Sequence, residues 1–346
     1  MSILDKIKKN SSIKESAILA KSKFFTNKDM ITTSVPIINV ALSGKLDGGL
    51  TPGLTMWAGP SKHFKTAFSL LMAKSYLDKY PDSALLFYDS EFGTPQSYFD
   101  SFGIDTNRVL HTPLMDIEQL KFDVMQQLSQ LERDDKLIII IDSIGNLASK
   151  KEVEDALDGK SVADMSRAKQ IKSLFRMVTP HLSLKDIPMI VVNHTYKTME
   201  LYAKDVVGGG TGSYYSADNI FIIGRQQEKE GTEVVGYNFI INVEKSRYVR
   251  EKSKIPVSVS FNGGISKWSG LLAIALESGH VVKPSNGWYS KVDMETGVID
   301  DKKYRESDTD TSEFWSPILK TTSFQKFVED KYQVASGNIM QDTEGE

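Results

Sequence analysis

Three features of the sequence predict an α/β fold, a mostly parallel twisted sheet with helices on both faces. Short apolar runs rich in β-branched residues recur at 54–59 (LTMWAG), 84–91 (ALLFYDSE), 137–143 (LIIIIDS) and 187–194 (IPMIVVNH). Between them lie stretches of helical periodicity at 65–80, about 94–102 and 117–133. Strands apolar on both faces and alternating with helices belong to parallel sheets covered on both sides. Third, each run ends in or beside a glycine, acid or histidine, at the strand ends where open parallel sheets collect ligands.

The 346 residues suffice for a large core and more than one domain. We divide them into an N-terminal arm (1–30), a core (31–269) and a small C-terminal α+β domain with a short acidic tail (270–346). Within residues 1–25 Ile3, Leu4, Ile7, Ile13, Ile18 and Leu19 fall mostly at helical spacing among six lysines. That helix either packs on its own domain or docks on a neighbouring copy, and its distance from the first Gly-rich loop favours docking. After about Asn219 the text turns β-rich (NIFIIGR, GYNFIINVEKSR, IPVSVSF); helical signals return after Gly270, and the polar end QDTEGE reads as disordered.

Charge and composition exclude several classes. Forty-two basic against forty-five acidic residues leave a net charge of −3, so no global positive field marks nucleic acid or an anionic membrane. The absence of cysteine rules out disulfides, thiolate zinc and a cysteine nucleophile, and suits a reducing cytoplasm. No apolar run approaches the ~18 residues of a membrane helix. The N-terminus lacks an apolar signal core and carries Asp5 and Glu15 among its lysines, which argues against export or organelle import.

The strand ends carry the chemistry. GPSKHFKT (Gly59, Pro60, Ser61, Lys62, His63, Phe64, Lys65, Thr66) approaches the phosphate-loop pattern G-x-x-x-x-G-K-[ST], with Phe64 at the second glycine position. Lys65 can reach the β- and γ-phosphates, Thr66 can ligate Mg²⁺, and backbone N–H groups supply an anion cradle. Alone, the loop is as compatible with chance as with a site. Asp142, closing IIIID, is placed to orient Mg²⁺ and its waters. Asp89 and Glu91 are expected on one side of an extended strand end, so that one faces the nucleotide; a glutamate there can orient and deprotonate water. His194 can hydrogen-bond a γ-phosphate, although an ordinary strand-end histidine reads equally well.

Segment 149–169 is charged in both signs and precedes a basic helix with Arg167, Lys169, Lys172 and Arg176, while 195–218 mixes Lys197, Lys204, four tyrosines and a glycine cluster. Such segments suit single-stranded nucleic acid or a lid over the nucleotide. VEKSRYVREKSK (243–254) is either a solvated face or a means of placing Lys245 and Arg247 on a phosphate across a subunit boundary.

Taken together and in order, LSGKLDGGLTPGL, GPSKHFKT, FYDSEFG, IIIIDSIGNLASKKEVEDAL, VVNHTY, GGGTG, NVEKSR, GGISKWSGLL and the late GWYS resemble the RecA recombinase family, most closely its bacteriophage members, over nearly the whole chain. The resemblance implies a RecA-type P-loop NTPase core that uses ATP and Mg²⁺ to build a helical filament on single-stranded DNA. That filament pairs its strand with homologous duplex and exchanges strands. A loader and a single-strand-binding protein are implied as further partners, and the cytoplasm of a bacterial host as the location. By position, the resemblance makes Lys65, Thr66 and Asp142 phosphate and Mg²⁺ residues and Glu91 the hydrolytic base. Tyr98 falls where the family stacks an aromatic ring on adenine. His194 stands in place of the family's glutamine sensor, and Lys245 and Arg247 take the place of a lysine pair that reaches the neighbour's ATP. DNA-binding loops are implied at about 149–164 and 195–214.

A hexameric helicase or translocase on the same core, an ATP-gated coating filament with incidental hydrolysis, and a metabolic NTPase or nucleotide kinase remain the rival readings. One residue carries its own expectation. A side chain at 64 must avoid positive φ, so the Phe64 ring is expected to point outward onto apolar neighbours or a subunit interface.

Overall fold

Residues 2–13, 15–22, 29–160, 166–198 and 205–334 are described by a computed structural model. Helix α1 (Ile3–Asn10) opens with a reciprocal capping box between Ser2 and Asp5 and buries none of its residues. Among the described residues of 1–25 the helical reading holds for this one short α-helix and a single 3-10 turn at Leu19–Lys21, and Ile3, Leu4, Ile7, Ile13 and Leu19 are all exposed. Helix α2 (Pro36–Ser43) starts on a proline, ends at a left-handed Gly44 and is buried almost throughout.

The core then alternates: β1 (Gly53–Ala58), α3 (Lys65–Lys79), β2 (Ala84–Asp89), α4 (Gln96–Ser101), β3 (Val109–Pro113), α5 (Ile117–Gln130), β4 (Leu137–Asp142), α6 (Lys150–Leu157), α7 (Ser166–Lys185) and β5 (Pro188–Asn193). A small hairpin, β6 (Thr195–Lys197) and β7 (Asp205–Val207), precedes α8 (Thr211–Ser216). Next come β8 (Asn219–Glu230), β9 (Glu233–Ser246), β10 (Lys254–Ser260) and the two-residue β11 (Gly264–Ile265). The chain closes with α9 (Leu271–Glu277), the hairpin β12 (Val281–Ser285) and β13 (Trp288–Lys291), α10 (Ser312–Leu319) and α11 (Thr322–Tyr332).

One nine-stranded sheet runs β11-β10-β9-β8-β1-β5-β4-β2-β3. From β8 to β3 the pairings are parallel, and from β8 to β11 antiparallel. Strands β1 and β5 are buried along their whole length, as their unbroken apolar text requires. Edge strand β3 escaped the sequence reading because it is mostly exposed and carries no buried run.

Two apolar layers flank the sheet. One joins α5 and α7 to Ile139, Ile141 and Val191. The other joins α2 and α3 to Trp57, Ile140 and Ile190, and continues into Phe314, Trp315 and Phe324 of the C-terminal helices. The acidic end QDTEGE lies outside the described residues.

Candidate active site

Gly59 leaves β1 with φ +156°, and a Cβ there would come within 3.0 Å of the Ile223 carbonyl oxygen, so glycine alone suits the close approach of β8. The loop then passes through left-handed Lys62 (φ 61°) and Phe64 (φ 63°) before α3 begins at Lys65. The expectation that Phe64 avoids positive φ is therefore wrong, while its ring does pack on apolar neighbours. It stacks on Phe239 (5.1 Å) and meets Phe68 edge-on (5.6 Å). The left-handed backbone costs roughly 1–2 kcal/mol, and two aromatic pairs at about 0.5–1.5 kcal/mol each offset it. The loop keeps its turn without the second glycine because the side chain is held by the core.

Phe64 provides no side-chain cap to α3, so its first N–H groups are not claimed by one. Lys65 is 6% exposed and donates from Nζ to Pro60 O at 2.8 Å. Burial lowers its pKa, against the opposing pull of Glu91 and Asp142. Thr66 Oγ1 donates to Asp142 Oδ2 at 2.6 Å. Asp142 is 2% exposed, and burial lifts its carboxyl to about 6; the negative charges of Glu91 and Asp89 add to this, while Thr66 and Lys65 oppose it.

Asp142 Oδ1 is buried without a hydrogen-bond partner. A raised carboxyl with one unpaired buried oxygen beside a hydroxyl fits Mg²⁺, which takes one or two protein oxygens and completes its shell with water and phosphate. Among the described residues no group of three or more His, Asp and Glu forms an all-protein metal cage.

The cleft beside the loop has a volume of about 420 Å³ and is lined by 61–67, Glu91, Gly93, Thr94, Tyr98, Val192 and His194. Tyr98 stands on α4, edge-on to Phe102, with its hydroxyl pKa raised by burial and by Asp142.

Asp89 and Glu91 do not share a strand face, because β2 stops at Asp89 and the chain turns. Buried Asp89 folds back to accept the Glu91 and Phe92 N–H groups on Oδ1 (3.0 and 2.8 Å), with His111 Nε2 at 3.1 Å from Oδ2. Only Glu91 reaches the cleft. Its Oε1 lies 2.9 Å from His194 Nε2 and accepts from Ser143 Oγ at 2.7 Å. These bonds, His194 first, hold its carboxyl below the ordinary value, with burial opposing and Lys65 assisting.

His194 is tied into the second loop. Gly208 N–H donates to its carbonyl at 2.9 Å, and the Asn193 side chain joins its N–H (2.8 Å) to the Gly208 carbonyl (2.9 Å). The ring fits because position 145 is glycine: a Cβ there would come 2.6 Å from His194 Cδ2. Sequence reasoning gave no role to Gly145, Asn193 or Ser143. The one signal for Ser143 was its place directly after the strand-end aspartate.

Lys245 and Arg247 are not brought to this cleft. Lys245 donates to the Tyr214 and Tyr215 carbonyls, and Arg247 pairs with Asp218 Oδ1. The other oxygen of Asp218 accepts the Leu54 N–H at 2.9 Å, at the start of β1. Five residues of strand, roughly 16 Å, separate that point from Gly59.

Of the first loop segment, 150–157 is an exposed helix and 161–165 lies outside the described residues. Arg167 is committed to the carbonyls of Ile144, Gly145 and Leu147, so this member of the basic helix braces the loop's root. Of the second, β6 and β7 pair, Tyr196 is exposed, Lys197 meets Asp205 at 2.9 Å, and 199–204 lie outside the described residues.

Residues 2–266 match the family model of the RecA N-terminal domain. Residues 268–328 match that of the C-terminal domain of the bacteriophage T4 recombination and repair protein. The chain is 52% identical over 332 residues to the recombination and repair protein of Enterobacteria phage T4, covering 95% of this chain and 85% of that one. It is 26% identical over 265 residues to Protein RecA of Synechococcus sp. (strain CC9902), covering 76% and 68%. With Protein RecA of Clostridium botulinum (strain Eklund 17B / Type B) it shares 23% over 276 residues, covering 78% and 74%.

Proposed function

The chain belongs to the RecA family, and from that premise we infer an ATP-dependent DNA recombinase: a DNA-dependent ATPase that catalyses strand exchange. The loop and cleft take ATP with Mg²⁺. The N–H groups of 61–66, at the loop's end and the start of α3, receive the phosphates, toward which Lys65 transfers from Pro60 O. Tyr98 supplies the surface for adenine. Thr66 and Asp142 would hold Mg²⁺, which would supply neutralisation of the phosphate charge.

Glu91 orients the attacking water and takes its proton, and the low-lying pKa of its carboxyl keeps it ionised for that task. His194 faces the γ-phosphate position, and its links to Asn193 and Gly208 pass any displacement to the β6–β7 hairpin. Lys245 and Arg247, remote from their own cleft, serve a neighbouring copy's γ-phosphate as trans cations. Arg247 offers a fork in place of the family's lysine.

ATP between subunits therefore stiffens the interface and orders the two DNA loops, near 149–164 and 195–214, and hydrolysis loosens them. The exposed apolar stripe of α1 docks on the adjacent subunit of a helical filament. Single-stranded DNA and its homologous duplex are the substrates, with a loader and a single-strand-binding protein assisting in a bacterial host's cytoplasm. No helix among the described residues is long and apolar enough to cross a membrane.

The observation that carries this reading is the bonded pair Glu91–His194, which joins the hydrolytic cleft to the second loop. Electron microscopy of the protein with single-stranded DNA and ATP tests it. A helical filament is expected, whereas a closed ring with directional unwinding would make the chain a translocase.

A further inference from the structure

Ser143 follows Asp142 at the end of β4 and is 0% exposed. Its backbone is pinned to the turn after β2 by three hydrogen bonds. Ser90 N–H donates to Asp142 O (2.9 Å), Ser143 N–H donates to Ser90 Oγ (3.1 Å), and Ser90 Oγ donates to Ser143 O (2.7 Å). The Ser143 hydroxyl has one proton to give. It lies 2.7 Å from Glu91 Oε1 and 3.5 Å from His194 Nε2, and only the first distance is that of an ordinary hydrogen bond.

Two groups therefore converge on the same Glu91 oxygen, and they differ in mobility. His194 is one-third exposed at the mouth of the cleft, whereas Ser143 is locked beneath it. The titratable groups facing Glu91 from the packed elements are Lys65 on α3, Asp142 on β4 and His194 after β5. None of them can replace a fixed neutral donor.

We propose that Ser143 is a positioning residue for hydrolysis: it keeps the Glu91 carboxylate aimed at the attacking water when His194 turns to the γ-phosphate. This rests on Glu91 being the base. The Asp89 carboxylate fixes the backbone of the turn, Ser143 fixes the direction of the side chain on it, and neither hold uses Oε2.

Steady-state ATP hydrolysis by the full chain on single-stranded DNA tests the assignment, with affinity for a fluorescent ATP analogue measured alongside. Ser143→Ala is nearly isosteric, and it should lower kcat roughly tenfold while KM and analogue affinity change by less than about twofold. In a Glu91→Ala background the same substitution should leave the residual rate within about twofold, because the group it positions is gone.

A Ser143→Ala kcat equal to wild type overturns the proposal, as does an equal loss in both backgrounds. If Glu91→Ala itself hydrolyses ATP at the wild-type rate, the assignment of the base falls and the positioning role with it. If Glu91→Ala is inactive and Ser143→Ala keeps the wild-type kcat, the role of Ser143 fails alone.

Discussion

Glu91 Oε1 and His194 Nε2 lie 2.9 Å apart, bringing a strand-end acid and a strand-end histidine separated by 103 residues into one hydrogen bond. Glu91 comes from the turn after β2 and His194 from the residue after β5, and β4 with its Ser143 lies between them in the sheet. Anything that draws His194 toward a phosphate removes a partner from the glutamate.

The first expectation concerns that bond and acidity. His194 is the largest influence holding the Glu91 carboxyl below 4.5. A depressed carboxyl stays ionised to lower pH, and its function is lost as pH falls through the folded value. In His194→Ala that value rises, so the ratio of hydrolysis at pH 5 to that at pH 7.5 should be smaller than in wild type. Equal ratios would detach His194 from the state of the base.

Glu91→Gln should reduce kcat by roughly 10²–10⁴-fold with nucleotide affinity nearly intact, whereas Lys65→Ala should weaken nucleotide binding itself. Equilibrium titration with a fluorescent analogue separates the two effects. A Glu91→Gln protein that no longer binds nucleotide would contradict the division of roles.

Asp142 gives a stability effect of opposite pH sense. Its carboxyl sits at about 6 against 3.8, so the folded state binds the proton more tightly than the unfolded one. Stability from this group is complete at low pH and declines as pH rises through about 6, amounting to about 3 kcal/mol. Asp142→Asn should therefore melt higher than wild type at pH 8 without nucleotide or Mg²⁺, with the gap narrowing below pH 6 and closing toward about pH 4. A gap independent of pH would remove the buried charge as its cause.

At position 64 the backbone is left-handed while the ring is stacked on Phe239. Phe64→Ala keeps the backbone penalty and loses the packing, whereas Phe64→Gly loses the packing but relieves the penalty. Glycine should thus be more stable than alanine by about 1 kcal/mol, the reverse of their order inside a helix. Thermal melts of the two variants decide it.

Mixing tests the remote cations. Lys65→Ala and Arg247→Ala should each be nearly inactive alone. Combined in equal amounts on DNA, they should recover activity at roughly a quarter of their interfaces, where an intact loop meets an intact cation. No recovery would argue against a shared site.

Most of the sheet and loop was legible because buried parallel strands write themselves as continuous apolar text ending in functional residues. Asp142 and His194 stand at such ends, where the fold sets them beside Thr66 and Glu91. What stayed hidden depended on the chain turning back. Asp89 looked equivalent to Glu91 until its carboxylate was seen closing the turn. Left-handed Phe64 was unreadable because its compensation comes from Phe239, 175 positions away, and β3 was missed because an edge strand need not be apolar on both faces.

The pairing of β1 with β8, and of β8 with β9, sets Arg247 beside Leu54 and the phosphate loop beyond Ala58. On the proposed reading of Lys245 and Arg247, each copy carries two unlike halves of a centre at opposite ends of β1. A row of such copies has a head and a tail: the last subunit at one extremity offers an empty cradle, the last at the other offers unengaged cations. On that reading, growth and loss at the two extremities are chemically different events.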